Sequence, residues 1–135
     1  MLKGELVFLL KRFCFLLRLK RRQDFVRLAQ QGMHWVTPGF ILQCDSAPND
    51  EEHARIRVGF TASRRIGGAV QRNRAKRRLR AVADMVLSAK GAPGLDYVLV
   101  ARGKVLTKDF QRLKQDLRWA LNKLHGGKLH ERKES

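Results

Sequence analysis

Acidic residues are few in this chain of 135: 12 Asp plus Glu stand against 29 Lys plus Arg, leaving a net charge of +17. A surplus of that size cannot be neutralised within the chain, so a polyanion, nucleic acid before anything else, is the expected partner. Cysteine is scarcer still. Cys14 and Cys44 form no framework, and no C-x-x-C or similar ligand spacing appears among them and the four scattered histidines. Both thiols therefore read as reduced, small apolar residues of a cytoplasmic protein, and no metal site is expected. Long apolar runs are missing too. Leu6–Leu10 and Phe13–Leu17 are split by Lys11 and Arg12 and are too short to span a bilayer. Arg18, Lys20, Arg21 and Arg22 follow, where a secretory signal would want small residues for cleavage. The length allows one domain with one modest core.

What the chain does have is concentrated between Arg55 and Arg80, RIRVGFTASRRIGGAVQRNRAKRRLR. The first part alternates, with Ile56, Val58, Phe60 and Ala62 on one face and Arg55, Arg57, Gly59, Thr61 and Ser63 on the other, a strand with one greasy face and one able to meet phosphate. From about Ala69 the period changes. Ala75, Leu79, Val82 and Val86 fall at i, i+4, i+7 and i+11, an amphipathic helix whose start Gly67 and Gly68 mark. At about 100° per residue, Asn73, Arg77 and Arg80 lie opposite that stripe, flanked by Arg72 and Lys76 on one side and Arg74 and Arg78 on the other. Between Arg64 and Arg80 there are eight Lys or Arg and no carboxylate, so this is not a mixed-sign solvated face. The helix start next to Arg64 and Arg65 adds N–H groups and a partial positive charge that favour phosphate.

This stretch resembles the signature of the bacterial ribonuclease P protein subunit, whose hallmark is an Arg-Asn-Arg helix, here Arg72, Asn73 and Arg74 continuing as Lys76, Arg77 and Arg80. The likeness runs from about Arg18 to about Leu124. It implies that Arg64, Arg65, Arg72, Asn73, Arg74, Lys76, Arg77 and Arg80 bind the ribozyme RNA. It also implies that Phe25, Ile41, Gln43 and Thr61 line a cleft for the single-stranded 5′ leader of precursor tRNA. On pattern alone Phe25 is ordinarily a core aromatic, and Ile41 and Gln43 equally fit a strand face turned to solvent. At Ala29 and Gln43 the family commonly has aromatics and this chain does not, which reduces the stacking surface. The resemblance further implies catalysis by RNA and magnesium held mainly by the RNA. It implies a 1:1 holoenzyme with ribonuclease P RNA acting on precursor tRNA, and a protein that is monomeric alone and cytoplasmic. No catalytic constellation is present in the basic stretch: no carboxylate pair, no paired histidine and no activated nucleophile. A ribosomal or other structural RNA-binding protein of the same fold explains charge and helix equally well, with only the detailed motif against it.

The rest of the chain fits one domain. Residues 1–17 read as an extension, either an over-long reading frame, a floppy arm or a short packed helix. Residues 18–125 form the RNA-binding domain and 126–135 a basic flexible tail. A short helix carries Phe25, Leu28 and Ala29 and closes at Gly32. Phe40–Cys44 is a strand leading through the acid-rich turn 45–53 into the strand from Arg55, the two forming a hairpin. After the breaker KGAPG, Tyr97–Ala101 reads as a strand covered on both faces. A last helix starts at Thr107 as N-cap and aligns Phe110, Leu113, Leu117, Leu121 and Leu124. Trp119 lies off that stripe. The class is therefore α+β, a two-layer α-β sandwich in the order α-β-β-α-β-α with room for one more short strand. The resemblance adds a fold like the second domain of ribosomal protein S5, with a left-handed crossover through the basic helix, against the usual right-handed rule.

Overall fold

The computed structural model describes residues 16–47, 56–92 and 94–134, with side chains as far as His125. Its elements are β1 (Leu16–Arg18), α1 (Arg22–Gln31), β2 (Met33–Val36), β3 (Phe40–Ser46), β4 (Ile56–Thr61), α2 (Ala69–Lys90), β5 (Leu95–Ala101) and α3 (Phe110–Glu134). Short 3-10 turns at Arg64–Ile66 and Gly103–Leu106 lead into α2 and α3. The sheet order is β1-β4-β5-β3-β2. One mixed α+β sheet results, with α2 and α3 on one face and α1 on part of the other.

Strand alternation explains that division. Phe40, Leu42 and Cys44 of β3, Ile56, Val58 and Phe60 of β4, and Tyr97, Leu99 and Ala101 of β5 share one face and bury against α2 and α3. Ala75, Leu79, Val82 and Val86 are all buried there, as the helical period predicts, joined by Leu113, Leu117, Leu121 and Leu124 of α3. Phe110 packs only partly. Each fully buried Leu or Phe stabilises the fold by roughly 1.5–3 kcal/mol, so this layer holds the molecule together. Val98 and Leu28 form a second, smaller cluster with Leu19 on the opposite face, with Phe25 and Val100 half-buried against it.

Three expectations need correcting. The hairpin partner of β3 is β2, not β4. Met33 pairs with Cys44 and Val36 with Ile41, across a turn closed by Thr37, whose N–H and hydroxyl both donate to the Phe40 carbonyl at 2.8 and 2.7 Å. Between β3 and β4 lies β5, antiparallel to the first and parallel to the second. The reason is its composition: Tyr97, Val98 and Leu99 are apolar on successive positions and need cover on both faces, which only a central strand has. The parallel pairing of β4 with β5 in turn requires the crossover that α2 provides.

The second correction concerns the sheet edge. Leu16 and Leu17, read as part of an extension, pair in parallel with Ile56 and Arg57 as β1. Residues 1–15 lie outside the described residues, as does most of the acid-rich turn, of which Asp45 and Ser46 prolong β3.

The third concerns α3. Thr107 ends the 3-10 turn instead of capping the helix, because that turn is needed to bury Val105, and the first helical bond runs from Leu113 N–H to the Asp109 carbonyl at 3.0 Å. The helix continues through 126–134, the stretch read as a tail.

Candidate nucleic-acid interface

Ser63 opens the basic turn by accepting a hydrogen bond from the Arg65 N–H at 3.3 Å, which leaves the side chains of Arg64 and Arg65 exposed. Gly67 then takes φ 142°, a conformation that L side chains rarely adopt, and the chain turns into α2 at Gly68. No side chain caps α2 and no acid lies in its first turn, so its first N–H groups stay open to an anion.

Along α2, Asn73, Arg74 and Arg77 are exposed, and Arg72, Lys76 and Arg80 are half-buried on one flank. Among the described residues none of Arg64, Arg65, Arg72, Arg74, Lys76, Arg77 and Arg80 is in an ion pair. A cluster of like charges without counterions destabilises a free protein, and the natural counterion is a phosphate backbone. Two arginines of α2 have work inside the fold. Arg78 donates to the Lys108 carbonyl, fastening α2 to the start of α3. The Arg80 guanidinium lies 5.8 Å from the centre of the Phe60 ring, and Arg18 of β1 approaches the same ring at 5.7 Å. Arg18 thus extends the cationic surface onto the sheet edge. Sequence reading could not place it, since β1 had no pattern of its own.

On the opposite sheet face the four residues expected to line a cleft lie together. Pairing aligns Ile41 with Val100 and Val100 with Thr61, and the next row aligns Gln43 with Val98 and Val98 with Gly59. Phe25 of α1 closes over the second row. Gly59 permits this, because a Cβ there would stand 2.6 Å from two ring atoms of Phe25. Phe25, Ile41 and Thr61 are half-buried, whereas Gln43 is only 9 % exposed. Beyond Ile41 the row continues to Val36, 58 % exposed. The result is a shallow trough, floored by β3, β5 and β4 and walled by Phe25, whose Thr61 end runs straight into the Arg64–Arg65 turn. Val36 and Val100 were missed by sequence reading, the first because β2 is only four residues long.

The other end of this face is charged and closed. Asp96, fully buried, accepts from Arg57 Nε and Nη2 at 2.8 and 2.6 Å and from Arg27 at 2.5 Å. Arg27 also donates to Asp45 at 3.0 Å and approaches Asp24 at 3.4 Å. Burial alone would lower the Arg27 pKa, but its bonds to Asp96, Asp45 and Asp24 outweigh that and raise it. Arg57, expected to face phosphate, is thus consumed within the protein. So are the acids nearest the trough. Among the described residues no three His, Cys, Asp or Glu gather as a metal site, and no helix is long and apolar enough to cross a membrane. Trp119, 56 % exposed with Lys123 Nζ 4.7 Å from its ring, sits in the helical layer, on the side of the sheet away from the trough.

A small α+β domain with a cationic helix that carries no ion pair among the described residues on one sheet face, and a half-open trough on the other, fits the class of RNA-binding proteins. Residues 16–125 match the family model described as Ribonuclease P. The ribonuclease P protein component of Paramagnetospirillum magneticum is 44% identical over 108 residues, covering 79% of this chain and 81% of that protein. That of Ruegeria pomeroyi is 43% identical over 111 residues, covering 82% and 87%. Among solved structures, the RNase P protein of Staphylococcus aureus superposes with a TM-score of 0.63 at 26% identity, over 78% of this chain and 92% of that one. The protein from Thermotoga maritima gives 0.63 at 25%, over 78% and 96%. The chain belongs to the ribonuclease P protein component family, and so to the protein subunits of a tRNA-processing ribonucleoprotein enzyme with an RNA partner.

Proposed function

We propose that this subunit works by binding on both sides of its sheet and leaves the bond cleavage to its RNA partner. Arg64, Arg65, Arg72, Asn73, Arg74, Lys76, Arg77 and Arg80 dock the ribozyme RNA, with Arg18 beside them. Phe25, Ile41, Gln43 and Thr61 hold the 5′ leader of precursor tRNA, stacking and guiding it toward the cationic turn. A base stacked on Phe25 contributes ~1–3 kcal/mol with little regard for sequence. Asp24, Asp45 and Asp96 are engaged by arginines, so the protein residues here do not suit direct magnesium coordination. Magnesium is accordingly assigned to the RNA, and the protein assists by aligning substrate and neutralising phosphates. The working particle is one protein with one RNA in the cytoplasm, and the protein alone is a monomer.

The observation that carries this reading is the set of α2 cations without ion pairs among the described residues, joined, through Thr61 and the Arg64–Arg65 turn, to the open trough. The experiment is reconstitution. The purified protein alone is expected not to process precursor tRNA, but to restore cleavage by a bacterial ribonuclease P RNA at low magnesium. Unchanged activity of that RNA in its presence refutes the assignment.

A further inference from the structure

The closed, charged end of the trough has a role that its distance from the open end conceals. Asp96, Val98 and Val100 alternate along β5 and so share one face, spaced about 6.7 Å per residue pair. Asp96 therefore anchors a point roughly 13 Å from the open row at Val100. The element it anchors is α1, which forms one wall of the trough through Phe25. This helix has ten residues, no side-chain cap at its start, and Leu28 as its only fully buried apolar side chain. A helix so short is marginal by itself; besides Leu28, only the half-buried Phe25 ring packs it on the sheet, and Asp24 comes no nearer than 3.8 Å to Arg57, so its orientation needs a firmer polar tie.

Arg27 supplies that tie. Its guanidinium ties α1 to two strands, bonding Asp45 Oδ2 and the Ser46 carbonyl of β3 at 3.0 and 2.9 Å through Nη1, and Asp96 of β5 at 2.5 Å through Nη2. The planar fork makes this a directional clamp and not a point attraction. Phe25 stands two positions earlier on the same helix, so any swing of α1 about Arg27 moves the ring relative to Gly59 and Ile41. We propose that Arg27, held by Asp96, is a positioning residue that sets the width of the trough and so the grip on single-stranded RNA passing through it. The proposal rests on the leader-binding reading given above. It also separates the two faces: α2, packed on the other side of the sheet, shares no residue with the clamp.

The test uses holoenzyme reconstituted with Arg27→Gln or Arg27→Lys and two precursor tRNAs, one with a long leader and one cut back to a single leader nucleotide. The Gln variant is expected to bind the long-leader precursor about tenfold more weakly, the equivalent of one lost base contact. Its affinity for the short-leader precursor and for the ribozyme RNA should stay unchanged, with the rate of the bound complex also unchanged. The Lys variant, which keeps the charge and loses the fork, should recover only part of the loss, and it carries the comparison if the Gln variant does not fold. Equal weakening for both precursors, or full leader discrimination in both variants, overturns the clamp while leaving the leader reading intact. If the unmodified holoenzyme itself does not favour the long leader, both fall.

Discussion

The ring of Phe25 rests on the backbone of Gly59, so closely that any side chain at residue 59 would overlap it, at 2.6 Å for a Cβ. Gly59→Ala should therefore push Phe25 outward and cost about 1–3 kcal/mol, as overpacking does. Urea unfolding measures the cost. Binding of a long-leader precursor to the reconstituted holoenzyme should weaken in parallel, while affinity for the ribozyme RNA stays constant.

Arginines of α2 should divide by what they touch. Arg72→Ala and Arg77→Ala should each weaken RNA binding and reduce the slope of log affinity against log salt by roughly 0.7–0.9. Arg78→Ala should behave differently. Its side chain serves the Lys108 carbonyl, and its loss should cost about 1–3 kcal/mol of stability with little change in the salt slope. Salt titrations on all three, beside thermal melts, decide the matter; identical slopes for Arg77→Ala and the unmodified protein would remove Arg77 from the interface.

Asp96→Asn should be more damaging than any change on the basic surface. It removes the fully buried carboxylate that Arg57 and Arg27 share, leaving Arg27 its bonds to Asp45 and Asp24, and removing one member of a buried ion network in this way costs about 3–5 kcal/mol. Equilibrium denaturation of the free protein gives the number. A cost under about 1 kcal/mol would place the pair in the class of exposed bridges instead.

Leu79→Ala removes a fully buried side chain from the centre of the α2–sheet contact and should destabilise by about 2–5 kcal/mol. RNA affinity, once corrected for the folded fraction, should be unaffected, since Leu79 points away from the cationic face.

The elements with a long, single-period pattern were legible in advance. The stripe from Ala75 to Val86 placed α2 and put Asn73 and Arg77 on its exposed side, though Arg78 and Arg80 turn inward to Lys108 and Phe60, and the apolar run at Tyr97–Ala101 announced a strand that is covered on both faces as far as Leu99 and opens at Val100. Phe25, Ile41, Gln43 and Thr61 were named through family likeness, and the sheet brings them to one side. Pairing was less readable. Nothing local in Phe40–Ser46 states whether its neighbour is β4 or β5, because that choice is made by the burial demand of a strand fifty residues further on. β1 and β2, at three and four residues, are too short to carry a period. Arg57 was misread for a related reason: alternation tells which side of a sheet a residue takes, not whether a buried Asp96 waits there for it.

Because neighbouring positions on each strand serve opposite sides, the sheet acts as a partition between the buried core and the trough. If the trough holds the leader as proposed, combinatorial libraries at Val36, Ile41, Gln43 and Val100 would retune which leaders the subunit favours without disturbing the inner faces of α2 and α3. On the same proposal, compounds wedged against Phe25 would compete with the leader and leave ribonucleoprotein assembly untouched.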